Sequence, residues 1–332
     1  MKRVAWKWLI IVATFTGVIV TMNVTGVGDF LKERKASFVM HDAFRHDEWE
    51  VMQQDPLAQR IMQESKQFYV APINARIDRV WRAIPGYNGL EVDLEQTYAV
   101  NKDKDKQSKL EWVFREIEPE ITLSEIAAEP IYRGNPNKPM AALMINVAWG
   151  NEFIDPILEV LNKKRVKATF FFDGSWLAKN KVAAKRIQSQ GHELENHAYT
   201  HPKMNELSAG LQRREIERTK KLLSESLGVI NRWFAPPSGA FNQTTVKIAH
   251  ELNLKTVLWT FDTIDWKKPE PAQIVRRLRP KVEAGMLILM HPTSASSRAL
   301  SDMIDVITSK KLQLGTVSET LSERRAPLVE PR

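Results

Sequence analysis

The stretch Glu195-Asn196-His197-Ala198-Tyr199-Thr200-His201-Pro202 sets two histidines four residues apart, directly after the short segment His192-Glu193-Leu194-Glu195-Asn196. A His-x-x-x-His pair can place both imidazoles on one side of a helical turn, which suits a divalent metal. The chain has no cysteine, so disulfides and thiolate ligands are excluded. Any metal must be held by His, Asp, Glu or Asn.

Outward from this stretch the pattern is regular. Apolar runs read as buried strands at 141–147, 168–172, 233–235, 255–259 and 286–290. Helical periodicity lies between them, at 156–163, 177–190, 211–227, 244–252, 272–282 and 299–308. In the first of these Ile157, Val160 and Leu161 share a face, and Pro156 stands at the first turn, where its missing N–H costs nothing. Strands alternating with helices imply parallel strands joined by right-handed crossovers. By pattern alone an α/β barrel and a doubly wound sheet fit equally well, and both put the active site at the C-terminal ends of the strands. Polar residues collect at those ends: Asn146, Asp173, His197, His201, Ser238, Asp262, Asp265 and His291. The other histidines, His41, His46, His192 and His250, are scattered and read as ordinary surface or core residues.

These residues resemble the polysaccharide deacetylase family, of the NodB-homology, carbohydrate esterase 4 type, over about 140–321. Asn196-His197-Ala198-Tyr199-Thr200-His201-Pro202 is similar to the family's metal-binding motif, and Val166-Lys167-Ala168-Thr169-Phe170-Phe171 to its second strand. Pro236-Pro237-Ser238-Gly239 with Asn242 resembles Arg-Pro-Pro-Tyr-Gly. Asp262-Thr263-Ile264-Asp265-Trp266 resembles Asp-x-x-Asp-Trp, and Leu289-Met290-His291 the Leu-x-His of the general acid. The resemblance implies an irregular (β/α) barrel, with His197 and His201 as ligands of a divalent metal such as Zn. It further implies His291 as acid with Asp265 as its orienter, and Pro237, Ser238 and Trp266 along the substrate groove. The implied reaction is hydrolysis of an acetamide in peptidoglycan or a chitin-like glycan. Metal activates water, a carboxylate takes its proton and a histidine protonates the leaving amine.

The first motif departs from the family's Thr-Phe-Asp-Asp-Gly. Here the stretch is Met144-Ile145-Asn146-Val147-Ala148-Trp149-Gly150. Asn146 stands in the base position, and an amide cannot accept a proton at neutral pH. Val147 or Ala148 stands where the metal-binding carboxylate belongs, so Glu152, Asp155 and Asp173 are the candidates to replace it. Ala235 replaces the Arg that orients the base, and Ser238 replaces the aromatic of the groove. For Asp262 the expected role is loop capping. The variants around Trp149-Gly150 and Phe234–Gly239 resemble the sporulation-associated branch of endospore-forming bacteria, which implies a role in spore-envelope wall. Two readings follow: an N-deacetylase with an altered base, or a glycan-binding or structural protein on the same fold.

The amino terminus sets the expected compartment. Lys2, Arg3 and Lys7 precede an uncharged, mostly apolar run over 8–28, about the ~20 residues that a membrane-spanning helix needs. An uncleaved anchor over 1–28 is favoured over a signal peptide, whose small-residue site at Val24-Thr25-Gly26 is poor. Positive charge before the run points to a single-pass cell-membrane protein with its C-terminal domain extracytoplasmic. A polar stalk is expected over 29–71, a small α+β domain over 72–132, a linker over 133–139 and a frayed tail over 322–332. The net charge of +8 suits anionic wall polymers or headgroups. No basic stripe interleaved with aromatics appears, so nucleic acid is not an expected partner.

Overall fold

The computed structural model describes residues 55–105 and 108–326. The expected anchor at 1–28, most of the stalk at 29–71 and the end of the tail lie outside these residues. Among the described residues no helix is long and apolar enough to cross a membrane. The described chain divides into two compact units. One holds residues up to Phe68 together with Val92–Phe114, and the other holds Tyr69–Glu91 together with Arg115 onward. The stretch 72–132 is therefore shared between the units.

In the smaller unit two short helices, Pro56–Ser65 and Leu94–Asn101, are each started by an aspartate. Asp55 accepts the Leu57 N–H at 2.7 Å and Asp93 the Gln96 N–H at 3.0 Å, which satisfies donors that a helix start leaves orphaned. Phe68 packs against Trp112 and Phe114, with ring centroids 5.0 and 5.7 Å away.

The larger unit is built on one eight-stranded sheet. Its strands are β1 (Met140–Val147), β2 (Thr169–Phe172), β3 (Glu193–Asn196), β4 (Trp233–Phe234), β5 (Lys255–Thr256), β6 (Phe261–Asp262), β7 (Met286–Met290) and β8 (Gln313–Gly315). Helices fill the crossovers: α1 (Asn151–Lys163), α2 (Gly174–Lys179), α3 (Lys181–Ser189), α4 (Ala209–Leu227), α5 (Gln243–Glu251), α6 (Pro271–Leu278), α7 (Ser294–Ser309) and α8 (Val317–Leu321). The order is β6-β7-β1-β2-β3-β4-β5 with β8 also on β1, and every pairing is parallel. The edge strands β5 and β6 are joined only by residues 257–260, which at full stretch span about 17 Å. The sheet must curl to bring its edges that close, and the result is a half-barrel of the type expected from the motifs. Ile131 lies at this seam: its N–H donates to the Thr256 carbonyl at 2.9 Å, and its carbonyl accepts from Leu258 N–H at 2.8 Å.

All eight residues of β1 are buried, as a central parallel strand covered on both faces requires. Their side chains alternate. Ala141, Leu143, Ile145 and Val147 pack with Ile157, Leu161, Ile274 and Leu300 of the surrounding helices. Ala142 and Met144 face the interior with Phe171, Trp233, Ala235 and Leu287. Each of these large apolar side chains contributes about 1.5–3 kcal/mol by leaving water.

Three local expectations are corrected. Helix α1 starts at Asn151, so Pro156 lies past the first turn and leaves the Glu152 carbonyl without its intrahelical donor. The helix expected over 177–190 is two, broken at Asn180 (φ −124°, ψ 35°), whose side-chain amide donates to the Trp176 carbonyl at 2.8 Å. The segment 193–196, not read as a strand because its polar residues mask the pattern, is β3.

The stretch 133–139 packs closely despite its Gly, Asn and Pro content. Asn135 is fully buried and donates to the Pro85 carbonyl at 3.0 Å. Lys138 is buried with its ammonium on the carbonyls of Glu319 (2.5 Å) and Ser322 (2.8 Å), at the C-terminal end of α8. The tail begins in contact too, with the Glu323 carboxylate accepting the Leu123 N–H at 2.6 Å. Burial lowers the Lys138 pKa to about 8, against the opposing pull of Glu116, Glu323 and Glu319. An unfolded lysine stays protonated to about pH 10.4. Between about pH 8 and that value the unfolded chain binds more protons, so stability rises with pH there. The Lys138 contribution is complete above the window and lost as pH falls through about 8. Urea unfolding from pH 7 to 10 should show this rise in the wild type and a flatter profile in Lys138→Met; parallel profiles would refute the assignment.

Candidate active site

The site lies where the strands end. Asn146 is buried on the interior side of β1, and its Oδ1 has no hydrogen-bond partner. Val147 turns outward into the helix-facing core, fully buried. Asp173 follows β2, where its N–H donates to the Val147 carbonyl at 3.0 Å. Its Oδ1 starts α2, accepting the Trp176 N–H at 2.8 Å and the Ser175 hydroxyl at 2.6 Å, and its buried Oδ2 is unpartnered. Burial raises the Asp173 pKa, while the Ser175 and Trp176 bonds and the charge of His201 oppose the rise.

His197 follows β3 and is buried, with Nδ1 2.8 Å from the Ala235 carbonyl. A carbonyl only accepts, so Nδ1 carries the proton and Nε2 the lone pair. Burial lowers the His197 pKa to about 3, with the charge of His201 adding to the effect, so the ring is neutral at pH 7. The His201 pKa is also lowered, first by burial, while Asp173 raises it. The two imidazoles sit edge to face, centroids 5.1 Å apart.

The pair does not sit on a helical turn. Residues 197–202 form a loop in which Ala198 (φ 61°) and His201 (φ 57°) take left-handed backbone. That shape leaves N–H groups that no helix satisfies, and Glu215 on α4 takes them. Its carboxylate accepts Tyr199 N–H at 2.9 Å, Thr200 N–H at 2.7 Å and the Thr200 hydroxyl at 3.0 Å. Thr219 donates to the Ala198 carbonyl at 2.7 Å. Sequence reasoning missed Glu215, whose only signal was its place on the helix after the histidine loop.

Across the site Asp265 clamps His291. One carboxylate oxygen meets His291 Nδ1 at 2.8 Å and the other accepts the His291 N–H at 2.6 Å. Asp265 is fully buried and His291 nearly so. Asp262 instead caps its own loop through the Ile264 N–H at 2.7 Å. Trp149 joins the two sides, stacked on His291 with centroids 5.4 Å apart and edge-on to His201 at 6.1 Å. Trp149 is a second residue that sequence reasoning passed over as chemistry, although a lone aromatic directly after a barrel strand was the available signal. Pro237 is buried, Ser238 is exposed with φ 55°, and Trp266 is exposed beside the Lys267 ammonium.

Of the three third-ligand candidates only Asp173, with its free Oδ2, acts on a histidine of the pair, through its charge on His201. Glu152 is exposed in the first turn of α1, and Asp155 pairs with Arg186 at 2.8 Å. Among the described residues no three His, Cys, Asp or Glu side chains gather into a metal-holding group. Two imidazoles fall short of the three protein ligands of a catalytic zinc, so the residues present do not fit such a centre.

With this geometry in place, the likeness to known proteins is informative. A family model described as "Polysaccharide deacetylase" matches residues 133–257. The uncharacterized protein YlxY of Bacillus subtilis (strain 168) is 44% identical over 271 residues, covering 82% of this chain and 85% of that protein. A peptidoglycan-N-acetylglucosamine deacetylase of Bacillus cereus is 31% identical over 202 residues, covering 58% and 74%. Among solved structures, a CE4 family pseudoenzyme from Bacillus anthracis superposes with a TM-score of 0.74 at 44% identity, covering 82% of this chain and 97% of that one. A mutant of that pseudoenzyme, described as having restored enzymatic activity, gives 0.74 at 43% identity, covering 82% and 100%. This chain belongs to the polysaccharide deacetylase family.

Removing Glu215 should loosen the histidine loop. Glu215→Ala is expected to cost about 1–3 kcal/mol in urea unfolding, the scale of hydrogen bonds to a charged acceptor. It should broaden the His201 ring resonances in NMR while leaving those of His291 sharp. An unchanged His201 signal would show that the loop holds itself.

Proposed function

We propose that this protein works on N-acetylated cell-wall glycan, peptidoglycan first, with a deacetylase cleft whose turnover is held down by an amide in the base position. The observation that carries this reading is Asn146, buried at the end of β1 with an unpaired Oδ1. The acid half of the machinery is intact. With Nδ1–H held by Asp265, a protonated His291 can deliver its Nε2 proton to a leaving amine. Asn146 cannot take the proton from water, so the hydrolytic half is not served. Ala235, in the place of an orienting Arg, contributes only its carbonyl to His197.

A second reading, in which the cleft holds glycan without cleaving it, is supported by the lack of a three-ligand metal group among the described residues. The described pseudoenzyme relative points the same way. The apolar run over 8–28 and its preceding charges support an uncleaved anchor and an extracytoplasmic body. The sporulation-type motif variants support a place at the spore-envelope wall.

The alternation of β1 decides where a ligand can be restored. Val147 lies in the outer core, whereas half-buried Ala148 follows on the Asn146 side. Asn146→Asp combined with Ala148→Asp is therefore expected to bind added Zn²⁺, seen as a raised Tm. It should also release acetate from N-acetylglucosamine oligomers well above the wild type. Val147→Asp in place of Ala148→Asp should instead cost about 3–5 kcal/mol, because it strands a carboxylate in apolar surroundings. If the first pair gains neither metal nor acetate release, more than base and ligand is missing. For the compartment, protease added to intact cells should cut the full chain but spare a cytoplasmic marker; a protected body would end the export reading.

A further inference from the structure

We infer that Trp149 is a stacking platform for a pyranose ring of an N-acetylated glycan, forming a subsite that flanks His291. The inference rests on the glycan reading above and deepens it. The turn between β1 and α1 is built for this placement. Gly150 has φ 81°, and a Cβ there would fall 2.0 Å from the Pro292 carbonyl oxygen. Only glycine lets this turn lie against the segment that follows His291.

That close approach seats the Trp149 indole flat on the His291 imidazole, with 14° between the planes. One face of the indole is thus covered. Trp149 is nonetheless 44% exposed, so much of its surface away from that stack remains open to solvent. A large aromatic left this exposed beside His201 and His291 buries little of its apolar surface, and the open surface suits a ligand. A pyranose ring presents axial C–H groups whose slight positive charge matches the negative face of an aromatic ring, while its hydroxyls stay at the rim. Its acetamide and hydroxyls could then reach toward the polar side of the cleft, where His201 meets the indole edge.

The test titrates the N-acetylglucosamine tetramer into the full chain by calorimetry in EDTA, comparing wild type, Trp149→Ala and Trp149→Phe. The alanine variant should bind about tenfold or more weakly, and the phenylalanine variant within about threefold of wild type, with Tm unmoved in both. The tetramer should also change tryptophan emission in the wild type, and by clearly less in Trp149→Phe, where groove residue Trp266 is the reporter that remains. Wild-type binding that Trp149→Ala leaves unchanged, or an emission change of undiminished size in Trp149→Phe, overturns the platform alone. A wild type that does not bind the tetramer overturns the glycan reading and the platform together.

Discussion

The larger unit depends on one constraint, the two-sided burial of β1. Its outer side is zipped to β7 along Ala141–Ile145 on one edge, and to β8 and then β2 on the other. Because side chains alternate, a single register slip would turn Met144 and Asn146 into the helix-facing core and bring Val147 inside. Helix packing around Leu143, Ile145 and Val147 opposes that slip, and so holds Asn146 at the head of the interior. The same strand that stabilises the fold aims the first residue of the site.

Around Asn146 the site shows what survives when a buried acid becomes an amide. The two side chains have nearly the same shape, so packing is kept while charge and proton affinity are lost. With alanine at 235 in place of an arginine, an aspartate at 146 would be buried with no guanidinium to balance its charge. A neutral group there avoids an uncompensated buried charge. Asp265 shows the contrasting case: its buried carboxylate is satisfied on both oxygens by His291.

Much of this was legible in the chain. The run Met286–Met290 was read with its bounds, and β1 and β2 to within a residue, because fully buried parallel strands are continuous apolar runs. The residues His197, His201, Asp265 and His291 were read from motif spacing, and the structure brings them to one end of the sheet. Less was visible where polar groups do structural work. In β3, Glu193 and Glu195 interrupt the apolar run, yet Glu195 is buried and accepts the Trp233 N–H at 2.9 Å. The spacing of the histidines was compatible with a helical turn, and it did not reveal the loop because spacing reports separation along the chain and not the sign of φ. Glu215 and Trp149 act through contacts made only after folding, which no local pattern announces.

The seam at Ile131 bears on where this unit begins. Its two hydrogen bonds to Thr256 and Leu258 occupy backbone groups where β5 passes into the short link between the edge strands, and its side chain is fully buried. A chain cut at the first barrel strand would open that seam, leaving the Leu258 N–H and Thr256 carbonyl free beside apolar Val257. Unpaired edge groups of this kind invite pairing with another chain. The residues ahead of β1 thus cover edge groups that would otherwise invite self-association, besides giving Ala83, Leu123 and Ile131 to the interior core.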